Sequence, residues 1–204
     1  MLSDLCDNVK DQCDPLSGGH AVYVGLEHID PGSYCLRRHG VPSDVHSSKF
    51  QFRRGDILYG KLRPYLDKAV LAEQHGMCST DILVLRPKPD VVPVYLLSVL
   101  HSRALRECAA ATTHGVNHPR TSWVALSSFE HEKPAYVDQA RSAAALWTIQ
   151  KALDAELLFL ERVRDLKRAM LQRLFTCGLD AGERAEPPLG LLPKSWTLRP
   201  FSEL

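Results

Sequence analysis

Short apolar runs separated by Gly- and Pro-bearing turns fill the first half of the chain. Runs of this length that are rich in Val, Ile, Leu and Tyr are typical of β-strands. In residues 20–29, apolar side chains occupy both alternating sets of positions, so this strand is expected to be covered on both faces. After a short helix and a polar turn within residues 1–19, the pattern predicts strands at 20–29, 50–59, 67–73 and 81–86, with a basic loop at 33–49.

Helical spacing replaces the strand pattern after residue 92. Pro93 suits the first position of a helix, and Leu96, Val99, Leu100 and Cys108 follow at helical spacing. This pattern predicts a helix of about 15 residues that packs on the sheet. The next stretch, TTHGVNHPRTSW, contains too many turn formers to be regular, and residues 122–130 are predicted to form one more short strand.

A long helix without internal Gly or Pro is predicted from Asp138 to about Thr176. At about 1.5 Å per residue it would be roughly 55 to 60 Å long, so we expect it to project and to bind a partner. A single amphipathic helix packed back on the body is the alternative. Its apolar residues recur in an imperfect heptad seam that is broken at Lys167 and Glu156 and consists of Leu146, Ile149, Leu153, Leu160, Val163, Met170 and Leu174.

These elements predict an α+β fold, in which a globular domain with a mixed or antiparallel sheet and packed helices precedes a projecting coiled-coil helix. Three segments follow from this assignment. They are a globular domain at 1–137, a spacer or dimerisation helix at 138–178 that ends on Gly178, and a linker with the start of a further domain at 179–204.

The charge of the chain is concentrated in one sector. The formal net charge is only +1, but residues 37–68 contain eight Lys or Arg residues against three Asp residues. A basic sector on a nearly neutral molecule is typical of a localised nucleic-acid-binding surface. The plain alternative is a solvated rim on an ordinary sheet.

The cysteine spacing and the hydropathy favour a cytoplasmic protein. The six cysteines form no CxxC pair, which argues against a zinc ribbon or a redox motif and favours free, mostly buried thiols in a reducing compartment. No stretch approaches the roughly 18 apolar residues of a membrane span, and residues 1–10 lack the pattern of a signal peptide. We therefore expect no contact with a membrane.

The best candidates for DNA contact lie in and near the run GKLRPYLDK. Lys61 and Arg63 follow a strand-like run directly, and Pro64 is expected to hold Arg63 in an extended conformation that suits phosphate contact. Tyr65 could stack on a base or donate to a phosphate, although its spacing favours a core residue. Lys68 is either a further phosphate contact or a charged residue that protects a sheet edge.

A second set of candidates lies in the polar stretch after the helix. The side chains of Asn117, His118 and Arg120 carry donors that can read base edges. An ordinary surface loop explains the same composition.

The sequence contains no recognisable catalytic constellation. There is no Gly-rich cofactor loop after a strand and no Asn/Asp-Pro-Pro-aromatic pocket of the kind that a DNA methyltransferase requires. Cys78, Ser79 and Asp81 lack a positioned base, and the nine histidines show no metal-ligand spacing. We therefore expect neither enzymatic activity nor a cofactor nor a metal.

In combination, several segments resemble the specificity subunit of type I restriction–modification systems over nearly the whole chain. The most specific are GDILYGKLRPYL, then CSTDI, and the helix that ends in LKRAMLQRLFTCGL; YVGLEHI and YLLSVL support them. One junction departs from the family, because this chain has KPAYVDQ where members usually have a Pro-rich segment and EQ. The role of that junction therefore stays open.

The resemblance implies a DNA target recognition domain followed by one of the conserved spacer helices. Such a subunit is non-catalytic, recognises one half of a split double-stranded target, and binds DNA methyltransferase subunits and a restriction–translocase subunit. Full-length members carry two such domains and two helices, so this chain would be half a subunit, with a possible homodimer through its helix. The alternatives are a coiled-coil assembly or inhibitory module, or the recognition fragment of a fused methyltransferase or nuclease.

Overall fold

The computed structural model of the chain describes residues 1–15, 22–45, 47–115 and 117–178, together with 184–185, 192–193, 196–197, 199–200 and 202. The first part of the predicted strand at 20–29 and most of the predicted segment 179–204 lie outside the described residues.

The strands are short, and most of them belong to two four-stranded sheets. They are β1 (Cys6–Val9), β2 (Gln12–Cys13), β3 (Tyr23–Val24), β4 (Lys49–Phe52), β5 (Ile57–Gly60), β6 (Ala69–Leu71), β7 (Gly76–Cys78), β8 (Ile82–Pro87), β9 (Arg184–Ala185) and β10 (Leu192–Pro193). The first sheet has the order β1-β8-β5-β6 and is antiparallel throughout. The second has the order β2-β4-β7-β3 and is mixed, because β3 and β7 run parallel. A separate antiparallel pair joins β9 and β10.

The helices follow the two four-stranded sheets in the chain. They are α1 (Pro93–Leu100), α2 (Arg103–Ala111), α3 (Trp123–Ser127) and α4 (Tyr136–Cys177). Among the described helices, none is long and apolar enough to cross a membrane. The predicted α+β class, with a mixed or antiparallel sheet and packed helices, is therefore confirmed.

The first sheet forms the middle layer of the globular part, and both of its faces are buried. Ile57 and Leu85 point into a cluster with the apolar residues of α1 and α2. Leu58 and Val84, one position along on the same strands, point into a second cluster with Phe52 and other residues of the second sheet. Because successive side chains of a strand point to opposite faces, a strand covered on both faces needs an uninterrupted apolar run. This requirement explains the sequence ILYG of β5.

Three predictions in the sheet region differ from the structure. Among the described residues, the predicted strand 20–29 forms only the two residues of β3, and a 3-10 turn at Leu26–His28 follows it. The predicted strand 50–59 is two strands, because residues 53–56 form a turn in which Gly55 has a φ of +92° and the Asp56 carboxylate accepts from the Arg53 backbone N–H. The predicted helix near the start is only a 3-10 turn at Leu2–Asp4, followed by β1 and β2. Both strands are short and polar, so their sequences give little strand signal.

The helix predictions are corrected at two places. The predicted 15-residue helix is divided into α1 and α2, because the Ser102 side chain accepts from Leu105 N at 3.3 Å and starts a new helix. The predicted strand at 122–130 is wrong: α3 occupies this stretch, with Ser122 accepting from Ala125 N at 3.2 Å. In both cases a serine acts as the N-cap.

The long helix α4 agrees with the prediction of a helix at 138–176, and it begins two residues earlier, at Tyr136. Gly178 follows it with a φ of +72° and donates to Leu174 O at 2.9 Å, as expected of a C-terminal cap. The chain divides into two compact units, Met1–Gln150 and Lys151–Leu204, and the division falls within α4. The predicted boundary of the globular domain at residue 137 stays a prediction.

The described cysteines are free. Cys6, Cys35 and Cys78 are buried, whereas Cys13 and Cys108 are partly exposed. Burial raises the pKa of the Cys6 thiol to about 12 and raises the pKa of Cys78 as well. These thiols are therefore protonated and unreactive at neutral pH.

Candidate nucleic-acid interface

Two loops that are far apart in sequence form one cationic surface in the Met1–Gln150 unit. The first loop, 61–68, connects β5 and β6, and the second, 112–122, connects α2 and α3. Arg63 N donates to Pro119 O at 2.8 Å, and Thr121 N donates to Lys61 O at 3.0 Å. Backbone hydrogen bonds thus bring together the two sets of residues that the sequence identified separately.

The 112–122 loop contains a tight backbone hairpin. His114 and Arg120 exchange two hydrogen bonds, of 2.9 and 3.0 Å, and Gly115 has a φ of +94°. Asn117 and His118 lie at its exposed tip. Paired main-chain hydrogen bonds between His114 and Arg120 therefore brace the predicted irregular loop, and Asn117 and His118 are exposed between them.

The backbone of Arg63 is left-handed, which corrects the extended conformation expected before Pro64. Its φ and ψ are 50° and 62°. Arg63 N binds Pro119 O, and Arg63 O accepts from Leu66 N at 2.9 Å. These two bonds outweigh the intrinsic preference of a residue before proline. The side chain of Arg63 is exposed beside the second loop.

The other end of the 61–68 loop is held by Asp67, which also has a positive φ, of 54°. Its Oδ1 lies 2.8 Å from His101 Nδ1, and Gly32 N donates to its backbone oxygen at 2.9 Å. His101 Nε2 also lies 3.1 Å from Ala69 O. Contacts from two separate segments, at Gly32 and at His101, therefore fix this end of the loop.

Arg120 has a defined orientation because it forms a bidentate pair with Asp81. Its Nε donates to Oδ1 at 2.9 Å and its Nη2 donates to Oδ2 at 3.2 Å. These hydrogen bonds, with the nearby charges of Arg120 and Lys61, lower the pKa of the Asp81 carboxyl. Sequence reasoning did not link Asp81 with Arg120, because nothing in the sequence connects residues that are 39 positions apart.

Tyr65 and Lys68 differ in their exposure to solvent. Tyr65 is 57% exposed and is not a core residue, so it remains available as a contact. Lys68 donates from Nζ to Leu26 O at 2.6 Å and is partly buried. One N–H group of its ammonium is thus bound to the protein, and its contact with DNA stays a prediction.

A groove of about 480 Å³ lies beside this surface, between Lys61 and the start of α3. Its lining includes Asn8, Lys10 and Gln12 from the β1–β2 region and Trp123 from α3. Sequence reasoning missed the first three, because the predicted helix at the N-terminus left them without a place in the sheet. Only the largely polar run DNVKDQ, in which Val9 is the one apolar residue, could have drawn attention to them.

The predicted seam on α4 is exposed in both units. Leu146 and Ile149 of the first unit are 37% and 58% exposed. In the second unit the exposed apolar side chains include all predicted members, Leu153, Leu160, Val163, Met170 and Leu174. Leu157, Phe159, Leu166 and Leu171 are exposed as well, so the apolar surface is wider than the predicted seam.

No family model matches the chain. A search of curated proteins finds the type I restriction enzyme EcoDI specificity subunit of Escherichia coli, which is 27% identical over 201 residues, covering 92% of this chain and 43% of that protein.

Two solved structures share the fold. The first is the HsdS subunit from Thermoanaerobacter tengcongensis, with a TM-score of 0.63 at 20% identity over 92% of this chain and 50% of that one. The second comes from a structure of the type I R-M system concerned with complex assembly and conformational transition. It has a TM-score of 0.62 at 20% identity over 98% of this chain and 50% of that one.

The chain is similar to type I specificity subunits. The resemblance that the sequence motifs indicated is thereby confirmed. The chain spans about half the length of these relatives. The cationic surface and the groove described above lie within the matched half of the specificity-subunit fold.

Proposed function

We propose that this protein is a non-catalytic DNA recognition subunit of a type I restriction–modification system. It binds one half of a bipartite double-stranded target and directs methyltransferase and endonuclease subunits to that site. The observation that supports this most directly is that main-chain hydrogen bonds hold the loops of Lys61, Arg63 and Arg120 together as one surface. The similarity to specificity subunits supports the same function.

The chemistry of this surface fits a duplex. Guanidinium and ammonium groups bind phosphates without reading sequence, and they need defined positions to set the register of the protein on the DNA. Arg120 is oriented by Asp81, and Arg63 is presented from a backbone that is bonded on both sides. Asn117, His118 and Tyr65 are exposed near these cations and add groups that can contact bases or phosphates.

Duplex binding at several salt concentrations tests this proposal. Lys61→Ala is expected to weaken binding to all sequences and to reduce the slope of log K against log salt by about 1. Lys133→Ala is the charge-matched control, since Lys133 binds Asp90 and is not part of the two loops. Equal affinities and slopes for the two variants, or no binding by the wild type at low salt, would contradict the proposal.

We assign α4 to subunit assembly. Its exposed apolar residues suit a helical partner, which is either the helix of a second copy or a methyltransferase subunit. A restriction–translocase subunit would join the same complex, in the cytoplasm. The other candidate, a coiled-coil module without DNA binding, is not favoured by the similarity to specificity subunits.

A further inference from the structure

The groove beside the cationic surface differs from that surface in its chemistry. It is lined by two carboxamides, Asn8 and Gln12, and the cations Lys10, Lys61 and Arg120 surround them. Cations suffice for phosphate binding, whereas carboxamides add directional donors and acceptors. This combination favours recognition of base edges within a frame of phosphate contacts.

The two carboxamides reach the groove from the first sheet and the second sheet. Asn8 lies on the edge strand β1, opposite Leu85, and Gln12 lies on β2, opposite Phe50. Gln12 is exposed. The Oδ1 atom of Asn8 is shielded from solvent and, among the described residues, has no hydrogen-bond partner. A shielded acceptor without a donor is unfavourable, and rotation of the Asn8 side chain into the groove, where a bound molecule can donate to it, would relieve this cost.

The groove also has an apolar part, which includes Trp123 and Val124. Val124, the second residue of α3, is 81% exposed, and Trp123 lies next to it in the lining. In the major groove, adenine offers an acceptor and a donor that one Asn or Gln side chain can bind together, and thymine offers a methyl group. An exposed valine beside two carboxamides therefore suits an A·T base pair.

We propose that this groove reads base edges of the DNA target and that Gln12, assisted by Asn8, selects an adenine whose thymine partner contacts Val124. The inference rests on the proposed function, since it names the residues through which the same surface distinguishes sequences. It adds the β1–β2 segment to the two loops that the sequence motifs indicated.

Selection from a random pool of duplexes tests the role of Gln12, using the full 204-residue chain. The wild type is expected to enrich a motif that contains an A·T pair. Gln12→Ala is expected to lose discrimination at that pair by on the order of 5- to 150-fold and to keep the rest of the motif. Gln51→Ala is the matched control, because Gln51 is an exposed glutamine on β4 whose side chain does not line the groove.

Two results overturn the inference, and they are distinguishable. If Gln12→Ala enriches the wild-type motif with unchanged discrimination, Gln12 does not read bases, and the proposed function stands. If the wild type binds DNA but enriches no motif, the inference and the proposed function both fail. Equal unfolding midpoints for the two glutamine variants would show that neither result reflects misfolding.

Replacing thymine by uracil in the enriched motif tests the contact with Val124 separately. Removal of the methyl group is expected to weaken wild-type binding about fourfold, as burial of one methyl group predicts. In Val124→Ala the same replacement is expected to have no effect. An equal loss in both proteins would overturn the contact.

Discussion

The guanidinium of Arg120 is fixed by the carboxylate of Asp81, through hydrogen bonds of 2.9 and 3.2 Å that join the 112–122 loop to the residue before β8. Lys61 N donates to the backbone oxygen of the same aspartate at 3.0 Å. Asp81 therefore connects both loops of the candidate interface to the central sheet. Its carboxylate binds Arg120 in the 112–122 loop, and its backbone oxygen accepts from Lys61 in the 61–68 loop.

Asp81→Asn is expected to lower the melting temperature at neutral pH, and its difference from wild type is expected to shrink as the pH falls below about 3.9. Arg120 lowers the pKa of Asp81 in the folded state, so the ionised carboxylate stabilises the fold above its unfolded pKa of about 3.9. This contribution disappears as the pH falls through the lower folded pKa. Melting curves between pH 2.5 and 7 measure it.

Asp165→Asn serves as the control, because the pair of Asp165 with Arg168 is exposed on α4. Exposed pairs contribute little to stability. A constant difference between Asp81→Asn and wild type across this pH range would show that the effect does not arise from the charge of Asp81.

Arg63→Gly is expected to increase stability while DNA affinity falls. The left-handed backbone of Arg63 is unfavourable for a residue with a Cβ atom, and glycine relieves this strain. Glycine also raises the entropy of the unfolded chain, so the net gain in the free energy of unfolding is about 0.5–1 kcal/mol. Under the proposed function, the loss of the guanidinium also removes a phosphate contact. Urea unfolding and duplex titration measure the two effects.

Arg63→Ala separates strain from charge, since it keeps the Cβ atom and removes the guanidinium. Its DNA affinity is expected to fall as in Arg63→Gly, without the gain in stability. If the glycine variant is less stable than the alanine variant, the left-handed conformation is not strained.

Asp56→Ala is expected to destabilise the fold by about 3 kcal/mol. Asp56 is only 2% exposed and accepts two hydrogen bonds of 2.8 Å from Arg86, as well as one from the Arg53 backbone N–H. Its removal leaves Arg86 without its carboxylate and the β4–β5 turn without its brace. The free energy of unfolding in urea measures the loss.

The control is Glu107→Ala, which breaks the exposed pair between Glu107 and Arg103 on α2. It is expected to cost a few tenths of a kcal/mol, as is usual for such helix pairs. Similar losses in the two variants would mean that burial of Asp56 does not strengthen its interactions.

Leu153→Lys is expected to abolish association through α4. Leu153 is 53% exposed and lies on the predicted seam, where a charged residue would be buried against a partner helix. Sedimentation, alone and with the methyltransferase subunit, measures the association. Leu158→Lys is a close control, because Leu158 is 50% exposed but lies off the seam of the heptad repeat. Equal effects would show that the seam does not define the interface.

The sequence predicted elements well where one segment carried its own signal. The unbroken helix α4 and the apolar run of β5 are both visible in local periodicity, and Gly178 marks the helix end. The same local reasoning failed at residues 122–130, where a single serine cap outweighed the tendency of the apolar residues to form a strand.

The candidate site could be predicted only in part, because its assembly depends on contacts between distant segments. Basic composition identified Lys61 and Arg63, and polar loop composition identified Arg120. Composition could not show that Lys68 donates to Leu26 O, or that Gln12 lines the same groove as α3. Those facts follow from strand order, which no local pattern encodes.

The bonds that join the two loops run between main-chain atoms, Arg63 N to Pro119 O and Thr121 N to Lys61 O. Main-chain hydrogen bonds do not require a particular side chain at the neighbouring positions. Substitutions at Asn117 or His118 can therefore alter what the surface recognises without dismantling the frame that holds it. A protein built in this way can acquire a new target by a few point mutations while its fold and α4 stay unchanged.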